Sequence, residues 1–408
     1  MDASVEKCNV GGVLMDQPFK IRRLGHFGLN FLQMDDNLHF YLDLLGFMIT
    51  DVRDPFADKE VPEAYKDFGD CRGYFMRYAS DHHALAFYNH RYRFATDTRG
   101  RCTDGVTINQ LTWQVGSLAE VMNGDTWLRE RQNNMVRVGR DMPGSNWHSY
   151  FMDPDMHQNE IYYGIEQIGW NGHSKPLTMH DRQFHEVPDL PQVSEYQEIQ
   201  DALARGVDIQ SGYRYTHDLP ATYDVQGTLL PRPFRIVKIG PIGLFVTNMT
   251  ASLDFYCGML GFLITEEVDY QGQRCVFLRN NTEHHSLVLY PIELREALGL
   301  SDHTTTAGFG LQVANYTQLK DARAFLAENG VRVTEMPLEL TPGLDYSFLA
   351  FDADGHAMQF YCAMEQLGWD AKPRPAGQRR KITPGVWPET LDAQSDSYMG
   401  EPFLGPWG

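Results

Sequence analysis

The chain has 408 residues, 42% hydrophobic and 12% aromatic, which is ample material for more than one buried core. Its formal net charge of −19 argues against nucleic acid or an anionic membrane as partner, because either polyanion would repel it. No apolar run approaches the ~18 residues of a membrane span, and residues 1–20 lack the basic-then-apolar order of a secretion signal. The six cysteines are scattered with no Cys-x-x-Cys pair, so neither a disulfide framework nor a zinc knuckle is expected. A cytoplasmic protein with reduced thiols is the expectation.

In chain order, residues 21–31 have the pattern of a strand. Residues 35–45 carry apolar side chains at helical spacing (Leu38, Tyr41, Leu42, Leu45), and Gly46 suits a C-terminal cap. Short strands are expected at 47–52, 74–78 and 84–88. The order βαβββ then repeats: strand 107–115, helix 118–131, and strands 135–138, 148–152 and 160–164. A Pro-, Asp- and His-rich connector follows over 171–234, with one helical piece at 195–205. The same two βαβββ patterns return over 235–292 and 307–363. The stretch beyond is a Pro/Gly-rich tail, including Pro402 and Pro406, expected to wrap a surface or an oligomer neighbour.

Direct repeats support this division. Phe40-Tyr41-Leu42-Asp43-Leu44-Leu45-Gly46-Phe47 recurs as Phe255-Tyr256-Cys257-Gly258-Met259-Leu260-Gly261-Phe262. His82-His83-Ala84-Leu85 recurs as His284-His285-Ser286-Leu287, and Glu166-Gln167-Ile168-Gly169-Trp170 as Glu365-Gln366-Leu367-Gly368-Trp369. Three matches in one order mean two homologous halves.

Residues 146–163 draw the most attention. An aromatic-rich strand, an Asp-Pro-Asp turn and a second strand make a β-hairpin. A turn centred on Asp155 sets Tyr150 opposite Glu160, with Cβ atoms about 5 Å apart. A carboxylate amid apolar neighbours needs a metal, a cation or several donors; a solvated Glu on a sheet face is the competing reading.

The chain carries Leu24-Gly25-His26-Phe27-Gly28-Leu29, then Phe40-Tyr41-x3-Leu45-Gly46-Phe47, then Asp81-His82-His83-Ala84-Leu85-Ala86-Phe87, and then Pro143-Gly144-Ser145-Asn146 leading through Tyr150 to Glu160. In that order these resemble the vicinal oxygen chelate superfamily, and within it the two-domain type I extradiol dioxygenases, which cleave catechol-type rings. The resemblance spans 21–170 and 235–369. It implies an α+β fold of four βαβββ units paired into two domains. The metal-bearing domain would be 21–170, the connector 171–234, a second domain without metal ligands 235–369, and the tail 370–408.

The resemblance also implies the site. Two His and one Glu hold the metal in such dioxygenases, on the opening strands of two units and the last strand of the second. Here those positions are His26, Gln110 and Glu160. In the second half they are Pro241, Gly308 and Gln359, none a strong ligand. Three ligands leave open positions for a chelating substrate and O2. Fe(II) is the expected metal, with Mn(II) or another divalent ion as alternatives. His83 matches the family's acid/base histidine, and Tyr150 the tyrosine that hydrogen-bonds the substrate hydroxyl. A further family histidine is replaced by Asp141; His148, on Tyr150's face by period-2 alternation, is the stand-in base. His82 is expected to point away from His83. The expected activity is ring cleavage of a small aromatic substrate by O2, in a homo-oligomer with no nucleic-acid or membrane partner. Two alternatives stay open. One is a superfamily metalloenzyme without O2 (isomerase, lyase or hydrolase), which Gln110 favours. The other is a non-enzymatic aromatic binder lined by Trp113, Trp147, Tyr150 and Tyr162.

Overall fold

The computed structural model describes residues 7–140, 144, 146–179, 185–216, 218–368 and 370–391. Asp141, Pro143, Ser145, Trp369, Pro402 and Pro406 lie outside them. A small hairpin, β1 (Cys8–Val10) and β2 (Val13–Met15), opens the chain. The first domain then runs β3 (Arg23–Phe31), α1 (Met34–Leu38), β4 (Met48–Arg53), β5 (Gly73–Arg77), β6 (Leu85–Asn89), α2 (His90–Ala95), β7 (Ile108–Gln114), α3 (Leu118–Glu130), β8 (Met135–Arg140), β9 (Trp147–Met152) and β10 (Gln158–Tyr163). The connector holds α4 (Glu195–Ala204), capped by Ser194, and a hairpin of β11 (Tyr223–Val225) and β12 (Thr228–Leu230). The second domain repeats the plan. Its elements are β13 (Ile236–Val246), α5 (Met249–Leu253), β14 (Leu263–Tyr270), β15 (Gln273–Arg279), β16 (Leu287–Pro291), α6 (Leu294–Ala297), β17 (Thr306–Val313), α7 (Tyr316–Glu328), β18 (Val333–Thr334), β19 (Ser347–Phe351) and β20 (Ala357–Tyr361).

The result is two eight-stranded mixed sheets with corresponding strand orders, β4-β5-β6-β3-β7-β10-β9-β8 and β14-β15-β16-β13-β17-β20-β19-β18. In each, two βαβββ units join along their opening strands, β3 with β7 and β13 with β17, both antiparallel. The α+β fold of four such units read from the repeats is the fold observed. No described helix is long and apolar enough to cross a membrane, and the six cysteines form no disulfide.

The helix expected over 35–45 departs from the α pattern. After α1 it widens into a π turn over His39–Leu44, closed by Leu45 N–H donating to Phe40 O at 3.0 Å. The second copy widens identically, with Leu260 N–H on Phe255 O at 3.1 Å. Both turns end at a glycine with positive φ, Gly46 (89°) and Gly261 (77°), where a Cβ would be strained. The widened turn serves the tyrosine inside it. Tyr41 donates to Asp352 Oδ2 at 3.1 Å, and Tyr256 donates to Asp153 Oδ2 at 2.8 Å, each reaching into the opposite domain.

Those aspartates are the hubs of a reciprocal lock. Asp153 and His157, in the β9–β10 turn, pair at 2.8 Å, and His157 Nε2 meets Thr305 Oγ1 of the second domain at 2.7 Å. Asp352 and His356, in the β19–β20 turn, pair at 3.0 Å, and His356 Nε2 meets Thr107 Oγ1 of the first domain at 2.8 Å. Between them Phe27 stacks on Phe309 at 3.8 Å, and one apolar core runs through both domains. The described part of the tail lies on the second domain, where Trp387 stacks over Tyr316 and donates to Glu335 at 2.7 Å.

Candidate active site

Strand register builds the site. On β10, Glu160 pairs with Tyr150 of β9 on one side and with Thr112 of β7 on the other. Thr112 in turn pairs with His26 of β3, and Tyr150 with Arg137 of β8. Paired residues share a face, so His26, Thr112, Glu160, Tyr150 and Arg137 form one row across five strands. Gln110, two residues before Thr112, is on the same face, opposite Gly28 of β3. Its close neighbour needs no Cβ: one on Gly28 would stand 3.1 Å from the Gln110 side chain.

Glu160 is fully buried and well held. Thr112 Oγ1 donates to its Oε2 at 2.8 Å, and Asn146 Nδ2 to its Oε1 at 2.7 Å. His26 Nε2 stands 3.4 Å from Oε2, and His148 Nδ1 3.9 Å from Oε1. Burial opposes the charged form, but His26, then His148 and the Thr112 hydroxyl, outweigh it and keep the carboxyl below the usual carboxylate range.

His26, also buried, has no hydrogen bond to either ring nitrogen. Its ring packs against His83 (centroids 4.2 Å apart) and Tyr162 (5.1 Å). A Cβ on Gly25 would fall 2.1 Å from the Tyr162 hydroxyl. Gly25→Ala therefore displaces the ring that backs His26. It is expected to cost about 1–3 kcal/mol, the usual overpacking penalty, in urea unfolding; an unchanged midpoint would show that Tyr162 yields freely.

His83 is tied through its partner. His82 and His83 meet at Nδ1 to Nδ1, 3.0 Å, and His82 Nε2 bonds Asp51 Oδ2 at 2.7 Å. The expectation that His82 points away from its neighbour therefore fails: the irregular backbone ahead of β6 turns the rings toward each other, outside the alternation of a strand. Gly144, at φ 90°, closes over the pair, and a Cβ there would stand 3.1 Å from the His83 ring. Burial, then the charges of His26 and His82, push His83 well below the usual imidazole range, so the ring is neutral. The second domain copies this arrangement as Glu266, His284 and His285.

A cavity of about 250 Å³ opens beside the row, and His83, Gln110, Asn146, Tyr150 and Gln158 line it. His26, Glu160 and His148 are not on its surface, and Asn146 spans both layers. Over the Tyr150 ring lies the Arg137 guanidinium at 4.8 Å, with the His148 ring 4.6 Å away. Thus His26, Glu160, His148, Tyr150 and His83 are adjacent, and Gln110 shares the cavity with the last two. Asp141 lies outside the described residues. Sequence reasoning passed over Thr112, Asn146 and Asp51. Thr112 was findable by alternation from Gln110; Asp51 carried no signal.

Among the described residues no three His, Cys, Asp or Glu side chains are arranged to hold a metal ion, so a metal here needs an amide or water donor. The pair that is present fits one. Two donors 2.0–2.2 Å from one ion stand about 3.0–3.4 Å apart, and the unbonded His26 Nε2 faces Glu160 Oε2 at 3.4 Å. The corresponding face of the second domain, with Pro241, Gly308 and Gln359 at the matching positions, is packed with Phe245, Phe277, Val288, Tyr290 and Ala307.

Residues 238–360 match the sequence model of the Glyoxalase/Bleomycin resistance protein/Dioxygenase superfamily. The second domain is thus a vicinal oxygen chelate domain, and the chain as a whole has the paired-domain fold of the extradiol dioxygenases. A 2,3-dioxygenase, LapB from Pseudomonas sp. KL28, superposes with TM-score 0.55 at 15% identity, over 87% of this chain and 96% of its own. The Mn(II)-bound glyoxalase from Novosphingobium aromaticivorans gives 0.53 at 13%, over 86% and 85%. Homoprotocatechuate 2,3-dioxygenase from Arthrobacter globiformis gives 0.51 at 13%, over 86% and 82%. No curated protein matches the chain in sequence.

Proposed function

We propose that this chain is a metal-dependent extradiol-type dioxygenase that opens a catechol-type ring beside its diol, both atoms of O2 entering the product. The observation that carries this reading is the buried His26–Glu160 pair, 3.4 Å apart, with Tyr150 directly across from Glu160 and facing a cavity. His26 and Glu160 would hold the metal, with the Gln110 amide oxygen as the third protein donor; Fe(II) suits O2 chemistry, and Mn(II) is the alternative. When bound, such a metal supplies charge stabilisation for an ionised diol and a centre for O2 activation.

The chain's own groups orient the substrate and manage protons. The Tyr150 hydroxyl, its ring held between Arg137 and His148, hydrogen-bonds a substrate oxygen. His148, buried beside Glu160, serves as the base nearest that oxygen. His83 has its Nδ1 committed to His82 whichever partner donates, so its Nε2 is the ring's remaining proton site. A proton accepted there passes through His82 to Asp51, whose side chain is 21% exposed. The cavity walls exclude water and fix orientation.

Gln110 favours a second reading, an isomerase or lyase using the metal as Lewis acid without O2, as does the likeness to a Mn(II)-bound glyoxalase. The test is oxygen uptake and ultraviolet–visible spectroscopy with simple catechols, on protein purified without oxygen and loaded with Fe(II) or Mn(II). The expected result is O2 consumption matched one-for-one by ring-opened product and abolished by chelator. Tyr150→Phe is expected to lower kcat by about 100-fold, the lower end of what a positioned proton donor contributes. Turnover with no O2 consumed would overturn the dioxygenase in favour of the second reading.

A further inference from the structure

We propose that the cavity beside Tyr150 takes an aromatic ligand bearing oxyanionic groups, carboxylate or phosphate, held by Arg53, Arg93, Arg101 and Arg137. The proposal rests on reading this cavity as the substrate site, but it does not depend on the metal.

Four arginines from four separate segments line a space of about 250 Å³, and His185 of the connector joins them. Arg53 ends β4, Arg93 is in α2, Arg101 is in the loop before β7, and Arg137 is on β8. No Asp or Glu is among the described residues of that lining. In a chain of net charge −19 this is a local reversal of sign. It directs anions inward and disfavours a cationic ligand.

The contacts of Arg93 and Arg101 leave much of their charge uncompensated. Arg93 lies over the Tyr88 ring at 5.1 Å and, with the Asn109 amide oriented to satisfy both its ends, meets the Asn109 oxygen at 3.1 Å. Arg101 stands 3.6 Å from Asp97, a carboxylate already accepting backbone N–H groups of Arg99, Arg101 and Cys102. The Arg101 Nε is buried with no hydrogen bond. Burial and then the neighbouring Arg93 push Arg101 below its usual range, with Arg137 adding to the effect. Like charges crowded this way stabilise neither one another nor the fold. A planar guanidinium is, however, the side chain best matched to a carboxylate or phosphate.

The repeat supplies an internal control. By the alignment of the two halves, Arg53 corresponds to Val268, Asn109 to Ala307 and Tyr150 to Leu349. Val268 and Ala307 pack in one apolar cluster of the second domain and Leu349 in another. The fold is therefore built without these three polar groups in the half that lacks counterparts of His26 and Glu160.

The test is equilibrium dialysis of the full, chelator-treated chain with four probes: phthalate, benzoate, phenyl phosphate and the uncharged phthalamide. The expected result is at least tenfold tighter binding of phthalate or phenyl phosphate than of phthalamide, with affinity falling as salt is raised. Whether phthalate or phenyl phosphate binds tighter identifies the oxyanion. Arg93→Gln and Arg101→Gln should each weaken the anionic probes about tenfold and leave phthalamide unchanged. Arg53→Gln, at an exposed rim position that the fold tolerates, should weaken them severalfold even if the half-buried variants unfold. Equal binding of charged and uncharged probes, no binding of either dianion, or anion affinity unmoved by Arg53→Gln would overturn the proposal. Because these experiments use metal-free protein, their outcome is separable from oxygen uptake: ring cleavage of neutral catechols survives a failure here, and anion binding survives a failure there.

Discussion

Glu160→Ala protein, purified without oxygen beside the wild type, is expected to lose divalent-metal affinity by more than about 100-fold. Removing one hydrogen-bond holder of a metal ligand typically costs about 10–100-fold, and Glu160 is the proposed ligand itself. The carboxylate is also the only anion in the row His26, Thr112, Glu160, Tyr150, Arg137. Without it, a divalent ion would meet a neutral imidazole and a neutral amide in a fully buried place, with nothing to offset its desolvation. Asn146→Ala and Thr112→Val, which each delete one bond to Glu160, are expected to show the smaller loss of about 10–100-fold. Elemental analysis after dialysis checks all three. A Glu160→Ala chain that still carries near-stoichiometric metal would place the centre elsewhere and remove the basis of the proposed chemistry.

Asp352→Ala is expected to destabilise the chain by about 3–5 kcal/mol, the range for deleting one partner of a buried ion pair. The carboxylate accepts from His356 Nδ1, His356 N at 2.9 Å, Asp354 N at 3.1 Å and Tyr41 Oη at 3.1 Å. Its loss strands all four donors at the domain junction. Asp153→Ala, its mirror, should cost a similar amount. The same hubs set a pH dependence. Burial alone would push His157 and His356 down, but the charge of Asp153 and Asp352 outweighs it and raises both above the usual 6.5. A raised histidine contributes stability that is fully present below its unfolded value and is lost as pH rises through its folded value. The stability difference between wild type and the His157→Asn/His356→Asn double variant should thus be largest at acidic pH and shrink toward pH 9. Urea unfolding at both ends of that range measures it; a difference that grows with pH would reverse the assignment.

The hairpin at residues 146–163 was legible because its turn chemistry fixes register, and register alone decides that Tyr150 faces Glu160. The two sheets were legible because the halves repeat. The π turns were not: apolar residues at 38, 41, 42 and 45 fit an α-helix equally well, and the reason for widening, Tyr41 reaching Asp352, is more than 300 residues away in sequence. The arginine cluster was invisible for the same reason. Arg53, Arg93, Arg101 and Arg137 share no motif, and only the closing of the sheet brings them to one cavity. Asp51 became a partner of His82 through the same closure.

The reciprocal turns have one more consequence. Each half ends a hairpin inside the other half's hydrogen-bond network, so the chain cannot be shortened to the portion that carries His26 and Glu160. Severed from residues 235–369, the first domain would expose Phe27 and leave Tyr41 and Thr107 facing water. Duplication here made a permanent dependant: a copy that need not retain donors for a metal must still retain Asp352, His356 and Thr305, or its sibling loses the surface on which it folds.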